Sequence, residues 1–212
     1  IAHEIKNPLT PMRLSVQHFE RVIIKENPDL KGRVLDFSKM LIQQIDTMNT
    51  VVSAFSNFSS LGEENKEVFF LEEEIDRLVK LYKEDGLTFR KPDYRCLVKI
   101  DKSHLTRILN NIIKNAIESI PKDREKKINI NVNIKELFWE IELKDNGIGI
   151  PENLQSKIFE PKFTTKNSGM GLGLAMVKNI IDDFSGKITF ISKLEKGTTF
   201  YIKIPKHNET LQ

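Results

Sequence analysis

The chain has 212 residues, enough for one or two domains that each bury a core. A hydrophobic fraction of 39% and a charged fraction of 30% exclude a disordered or fibrous chain and fit an ordinary globular one. The formal charge of +3 is a small surplus spread along the sequence, so nucleic acid is not implied as a partner.

Two helical patterns come first. Residues 1 to about 25 carry Leu9, Leu14, Val16, Phe19, Val22 and Ile23 at three- and four-residue spacing. Pro28 and Gly32 then interrupt the pattern within Glu26–Gly32. A second helix follows, with Val34, Phe37, Leu41, Ile45, Met48, Val52, Phe55 and Phe58 forming an apolar seam of near-heptad period. Two helices cannot bury that seam on all sides. A helical hairpin over 1–60 that pairs with a second copy as a four-helix bundle satisfies it; packing on its own downstream domain is the alternative.

Residues 61–66 are polar, contain Gly62 and read as a linker. From 67 to 212 the pattern turns to α+β. Helices are expected near 71–85, 102–120 and 171–184. Strands are expected near 87–90, 96–100, 127–134, 137–144, 187–193 and 198–204, with the pair 127–134 and 137–144 alternating around a short turn as a hairpin. Strands adjacent in sequence predict a mostly antiparallel sheet with helices on one face. The single Cys96 cannot form an internal disulfide and reads as a buried small hydrophobe in a reducing compartment. No apolar run approaches the roughly 20 residues that cross a bilayer. The chain opens on Ile-Ala-His rather than Met, so any membrane or targeting segment is expected upstream.

Three segments carry the strongest chemical signal. The first places Asn110, Asn111 and Asn115 within an otherwise amphipathic helix, although Asn costs such a helix about 0.5 kcal/mol per residue. Asn111 and Asn115 lie one turn apart on one face, and neutral oxygens of this kind suit Mg²⁺. A merely polar helix face is the competing reading. The second is Asp145-Asn146-Gly147-Ile148-Gly149-Ile150-Pro151, directly after a strand. It can present one carboxylate while the backbone passes close to a ligand, or it can be an ordinary turn. The third is Gly169-Met170-Gly171-Leu172-Gly173-Leu174, leading into a helix whose free N–H groups can face an anion. It fits neither a Walker nor a Rossmann pattern. The aperiodic stretch 159–168 before it has the composition of a lid, with Lys166 able to meet a phosphate.

Together these segments resemble the asparagine box, the two glycine boxes and the phenylalanine box of the histidine-kinase ATP-binding domain, in the family's order and spacing. That fold is a two-layer α/β sandwich shared with gyrase, MutL and heat-shock chaperone ATPases. The resemblance implies that ATP is bound by Asn111, Lys114, Asn115, Asp145, Gly147, Gly149, Ile150, Phe159, Lys166, Gly169, Gly171, Leu172, Gly173, Leu174 and Thr198. It implies that Asn115 ligates Mg²⁺, that Asp145 hydrogen-bonds the adenine amino group and that Thr198 supports this contact. Asn111 stands where the related ATPases keep a glutamate base. An amide cannot serve as that base, which argues against simple hydrolysis and for transfer to another acceptor. Lys162 departs from the aromatic or small residue many members carry and makes the lid more basic.

His3-Glu4-Ile5-Lys6-Asn7-Pro8-Leu9-Thr10 resembles the family's phosphoacceptor box. Neutral imidazole is nucleophilic through one nitrogen while the other keeps its proton. Glu4 can accept that proton's hydrogen bond and fix the tautomer; Asn7, one turn on, is implied to orient water during dephosphorylation of the partner. Pro8 and Pro11 predict a loosened helix beyond His3 that could act as a signalling hinge or as a fixed kink. The run from His3 to Ser15 looks most like the nitrogen-regulation type of sensor kinase. The family implies a homodimer, a response-regulator receiver domain as partner, and the cytoplasmic portion of a membrane-anchored bacterial protein. A non-catalytic docking module and a chaperone- or topoisomerase-type ATPase are the rivals. With two residues ahead of His3, this fragment is expected to bind ATP well but to phosphorylate His3 and dimerise less well than a longer version.

Overall fold

The computed structural model describes residues 65–165 and 171–207 (except the side chains of 83–85), with residues 16, 32, 34, 35, 37–42 and 45 nearer the N-terminus. The expectations for His3, Glu4, Asn7, the Pro8–Pro11 hinge, most of the hairpin, Lys166 and Gly169 lie outside the described residues. The chain divides into two compact units. In the first, every described residue is helical.

The second unit opens with strand β1 (Glu67–Phe70) and helix α1 (Leu71–Val79). Leu71, Ile75 and Leu78 recur at helical spacing and are buried, while Glu72, Glu73 and Glu74 complement the positive end of the helix dipole. The expectation of one helix over 71–85 needs correction. After Val79 the chain tightens into a 3₁₀ segment, Lys80–Asp85, kinked at Tyr82 and closed by Gly86 at φ 66. Tyr82 is held there by donating to Asn110 Oδ1 at 2.9 Å. A left-handed glycine is the usual stop for such a turn.

Strands β2 (Leu87–Arg90) and β3 (Leu97–Ile100) lead to the long helix α2 (Lys102–Ser119). Asp101 caps α2 by accepting from Ser103 N at 2.7 Å. Leu105, Ile108, Leu109, Ile112, Ile113 and Ala116 form its buried face. The hairpin β4 (Ile128–Ile134) and β5 (Phe138–Asp145), the short helix α3 (Glu152–Gln155), helix α4 (Gly173–Asp183), β6 (Lys187–Lys193) and β7 (Gly197–Pro205) complete the order. Strand β1 and helix α3 are additions to the expected elements.

The main sheet runs β2-β4-β5-β7-β6. It is antiparallel as expected except that β2 lies parallel to β4, with Leu87 opposite Ile128. Strand β3 does not join it but pairs with β1, Phe70 facing Leu97. Alternation sends one apolar set inward: Ile128, Ile130 and Val132 from β4, Ile141 and Leu143 from β5, and Phe200, Ile202 and Ile204 from β7. Cross-strand pairs such as Ile130–Leu143, Leu143–Phe200 and Ile188–Ile202 knit that face. Helices α2 and α4 pack on each other and on the sheet, giving the two layers. Among the described residues, no helix is long and apolar enough to cross a membrane.

Candidate functional site

The site is built where β5 and α2 end and β7 begins. Asp145, the last residue of β5, is buried. Its Oδ1 accepts from Gly147 N at 2.8 Å and from Thr198 N at 3.1 Å. One carboxylate oxygen thus shapes the first glycine loop and joins it to the start of β7. Burial pushes the Asp145 carboxyl above its usual range, and the donors from Gly147, Thr198 and Ser119 offset part of that rise.

The loop after Asp145 is held on every side. Asn146 accepts from Lys127 N and donates to Glu125 O, both at 2.9 Å. Arg124 donates to the carbonyls of Asn146 (2.8 Å) and Gly147 (3.1 Å) and reaches Glu195 at 3.3 Å. Gly149 has φ +73, and a Cβ there would collide with Lys193 O, so a side chain is excluded by conformation and by space. Ile150 N donates to Ser192 Oγ at 2.8 Å, and Ser192 Oγ lies 2.9 Å from Thr198 Oγ1. Gln155 closes the loop by donating to Ile150 O at 2.9 Å. Phe159, half-buried, meets Phe190 edge-to-face with ring centres 5.9 Å apart.

The other half of the site joins α2 to α4. Asn111 donates through Nδ2 to Arg107 O at 2.8 Å, so its amide is oriented by its own helix. Its Oδ1 faces the first residue of α4: a Cβ on Gly173 would stand only 2.8 Å away. Among the described residues no side chain caps α4, which leaves its first N–H groups for another acceptor. Gly171, Leu172, Gly173 and Leu174 are half-buried, and Gly171 O accepts from Lys162 N at 2.9 Å. Lys162 is exposed and has φ 69. Asn115 is half-buried one turn beyond Asn111, with neutral oxygens of the kind that fit a hydrated Mg²⁺ shared with phosphates. Lys114 is exposed, and no described hydrogen bond or ion pair joins it to the other site residues.

Two linked groups therefore form from the sequence-predicted residues: Asp145, Gly147, Gly149, Ile150 and Thr198 through hydrogen bonds, and Asn111 with Gly173 through close packing. Ser119, Arg124 and Ser192 were not foreseen. Two of them carry a legible signal. Ser192 follows Ile188 and Phe190 on the inward face of β6, and Ser119 follows Ile112 and Ala116 on the core face of α2. A polar residue at a core-facing position calls for a partner. Arg124, in a polar connection, has no such mark.

A family model described as histidine kinase-, DNA gyrase B-, and HSP90-like ATPase matches residues 100–208, just over half of the chain. The chain is 32% identical over 213 residues to a protein of Rickettsia conorii named for its likeness to the sensor histidine kinase NtrY, covering 96% of the chain and 34% of that protein. It is 32% identical over 222 residues to sensor histidine kinase WalK of Bacillus subtilis, covering 99% and 36%. The chain spans about a third of the length of these curated relatives. Among solved structures it resembles the catalytic domain of histidine kinase ThkA, with TM-score 0.58 and 32% identity over 67% of the chain and 96% of that domain. It also resembles ThkA in complex with response regulator protein TrrA, with TM-score 0.67 and 27% identity over 97% and 60%. The box order read in the sequence, the sandwich and the family match agree: the chain belongs to the histidine kinase-, DNA gyrase B- and HSP90-like ATPase family.

Proposed function

We propose that this chain is the kinase core of a two-component sensor histidine kinase, which binds ATP with Mg²⁺ and phosphorylates its own His3. Asp145 accepts the adenine amino group, with Thr198 and the Gly147–Ile150 loop holding the purine edge. The backbone of Gly169, Gly171 and Gly173 and the N-terminus of α4 take the phosphates, with Lys166 and Lys114 as their cationic partners. Phe159, Leu172 and Leu174 supply apolar wall. Asn115, with Asn111 beside it, is the metal position; Mg²⁺ neutralises phosphate charge when bound.

His3 attacks the γ-phosphorus through one ring nitrogen. The N–P bond forms as the bond from phosphorus to the β,γ-bridging oxygen breaks, and ADP leaves. Glu4 accepts the hydrogen bond of the other ring nitrogen and stabilises the positive charge that develops. The phosphoryl group then passes to an aspartate of a response-regulator receiver domain, and Asn7 serves the reverse dephosphorylation. The likeness to a kinase solved with a response regulator supports that partner.

The observation that carries this reading is the close packing of Asn111 on the start of α4, which no described side chain caps. The phosphate end of the site offers an amide where a hydrolase needs a base, so transfer to a nucleophile supplied by the protein is favoured over release to water. For the homodimer, support comes from Val34 and Ile45 of the expected seam, which are 39% and 50% exposed in the single chain. The full-length protein carrying the wild-type core is expected to take up acid-labile label from γ-labelled ATP, and His3→Gln to abolish it. Free phosphate release with no protein label would instead make the chain an ATPase.

A further inference from the structure

In the loop that follows Asp145, two successive peptide groups are held at both ends, and one side chain holds both carbonyls. The first peptide carries Asn146 O, which accepts from Arg124 Nη1 at 2.8 Å, and Gly147 N, which donates to Asp145 Oδ1 at 2.8 Å. The second carries Gly147 O, which accepts from the same Nη1 at 3.1 Å, and Ile148 N, which donates to Ser119 O at 3.0 Å. A trans peptide is planar with its C=O and N–H opposed, so fixing the carbonyl fixes where the N–H is aimed. Arg124 thereby aims the Gly147 N–H at the Asp145 carboxylate.

Arg124 is itself placed for this. Its backbone N–H donates to Pro121 O at 3.0 Å, closing a turn in the connection from α2 to β4. The same connection holds the Asn146 side chain through Lys127 N and Glu125 O. Arg124 Nη2 reaches Glu195 at 3.3 Å, and Glu195 N donates to Ile148 O at 2.7 Å. The Glu195 side chain is 68% exposed, and an ion pair so open to water contributes little. The carbonyl contacts are the ones that act on the loop. They come from a group that stays charged at every working pH, and charge-assisted hydrogen bonds are about twice as strong as neutral ones.

We propose that Arg124 is a positioning residue for the nucleotide base: by fixing these two peptide planes it holds the Asp145 carboxylate in one orientation, and so sharpens the choice of adenine over guanine. This rests on the reading that Asp145 accepts the adenine amino group. Guanine presents a carbonyl at that place, and two acceptors cannot hydrogen-bond to each other. The rejection is strong only while the carboxylate is fixed, because one that can swing aside admits the carbonyl at lower cost.

Calorimetric titration of ATP and of GTP into the whole chain tests this, for wild type, Arg124→Met, Arg124→Lys, Glu195→Gln and Asp145→Asn, with thermal unfolding of each recorded alongside. Arg124→Met keeps an apolar stem without a donor and is expected to narrow the ATP-to-GTP affinity ratio about tenfold, chiefly through weaker ATP binding. Both carbonyl contacts come from a single nitrogen, so the ammonium in Arg124→Lys should restore part of the ratio. Glu195→Gln should leave the ratio within about twofold of wild type. A loss of folded molecules scales ATP and GTP binding together, so the ratio reports position while the unfolding temperature reports stability. Should Arg124→Met not fold, Arg124→Gln takes its place with the same expectation. A wild-type ratio in the variant lacking the guanidinium, or no recovery in Arg124→Lys, overturns the role of Arg124 alone, provided that Asp145→Asn weakens ATP binding. ATP binding that is insensitive to Asp145→Asn overturns the reading beneath it.

Discussion

Thr198 N donates to Asp145 Oδ1 at 3.1 Å, so the start of β7 hangs on the same carboxylate oxygen that shapes the Gly147 loop. This joint sits between two neighbouring antiparallel strands and is buried, which makes the carboxylate a structural acceptor. Asp145→Asn keeps an oxygen that can accept both backbone N–H groups, so the fold should survive. Replacing the charged acceptor by an amide is expected to weaken ATP binding by about ten- to a hundredfold, the span of 1.5–3 kcal/mol typical of charged hydrogen bonds. Calorimetry with ATP measures it; an unchanged affinity would remove Asp145 from the site.

The raised pKa of Asp145, caused first by burial, fixes the sign of a pH effect. A carboxyl that holds its proton more tightly when folded contributes most to stability below its unfolded pKa of about 3.9, and that contribution declines as pH climbs through the raised folded value. On the proposed function, ATP binding needs the ionised form and runs the opposite way. Melting curves across that window should therefore show wild type losing stability with rising pH relative to Asp145→Asn.

Ser192→Ala is expected to strand Ile150 N and to free Thr198 Oγ1, since both lean on one hydroxyl. The cost should be about 1–3 kcal/mol of stability, seen in denaturant unfolding, with weaker nucleotide binding as the Ile150 end of the loop loosens.

Cys96 should be chemically silent. Burial, then the Glu72 carboxylate, push its thiol up to about 12, and it has no exposed surface. Glu72 is itself buried, accepting from Cys96 N at 3.0 Å, with Oε1 meeting Arg95 at 3.4 Å as an ion pair without a hydrogen bond. Thiolate is the reactive form, so alkylation of the native chain at neutral pH should be at least about 100-fold slower than of the unfolded chain. Comparable rates would contradict that burial.

Much of the second unit was legible because its signals are periodic. The core face of α2, the hairpin β4–β5 and strands β6 and β7 appear within a residue of their expected limits, each marked by helical or two-residue alternation. Strand β1 and helix α3 are four residues each, too short to show a period. The exchange of β3 from the main sheet into a pair with β1, and the parallel seating of β2 on β4, are tertiary choices that no local pattern encodes. The glycine boxes announced themselves as motifs, whereas the hydroxyl of Ser119 stands against Gly147, 28 residues on, and that of Ser192 serves Thr198, 6 residues on, and Ile150, 42 residues back, pairings that no local pattern encodes.

The claim on which the rest depends is that ATP bound at Asp145 and the start of α4 is spent on a histidine. Mass spectrometry of the full-length protein after incubation with ATP and Mg²⁺, under alkaline conditions that preserve phosphohistidine, locates the product directly. The account predicts phosphate on the peptide containing His3 and its disappearance in Asp145→Asn; phosphate on a serine or threonine, or free phosphate alone, would contradict it.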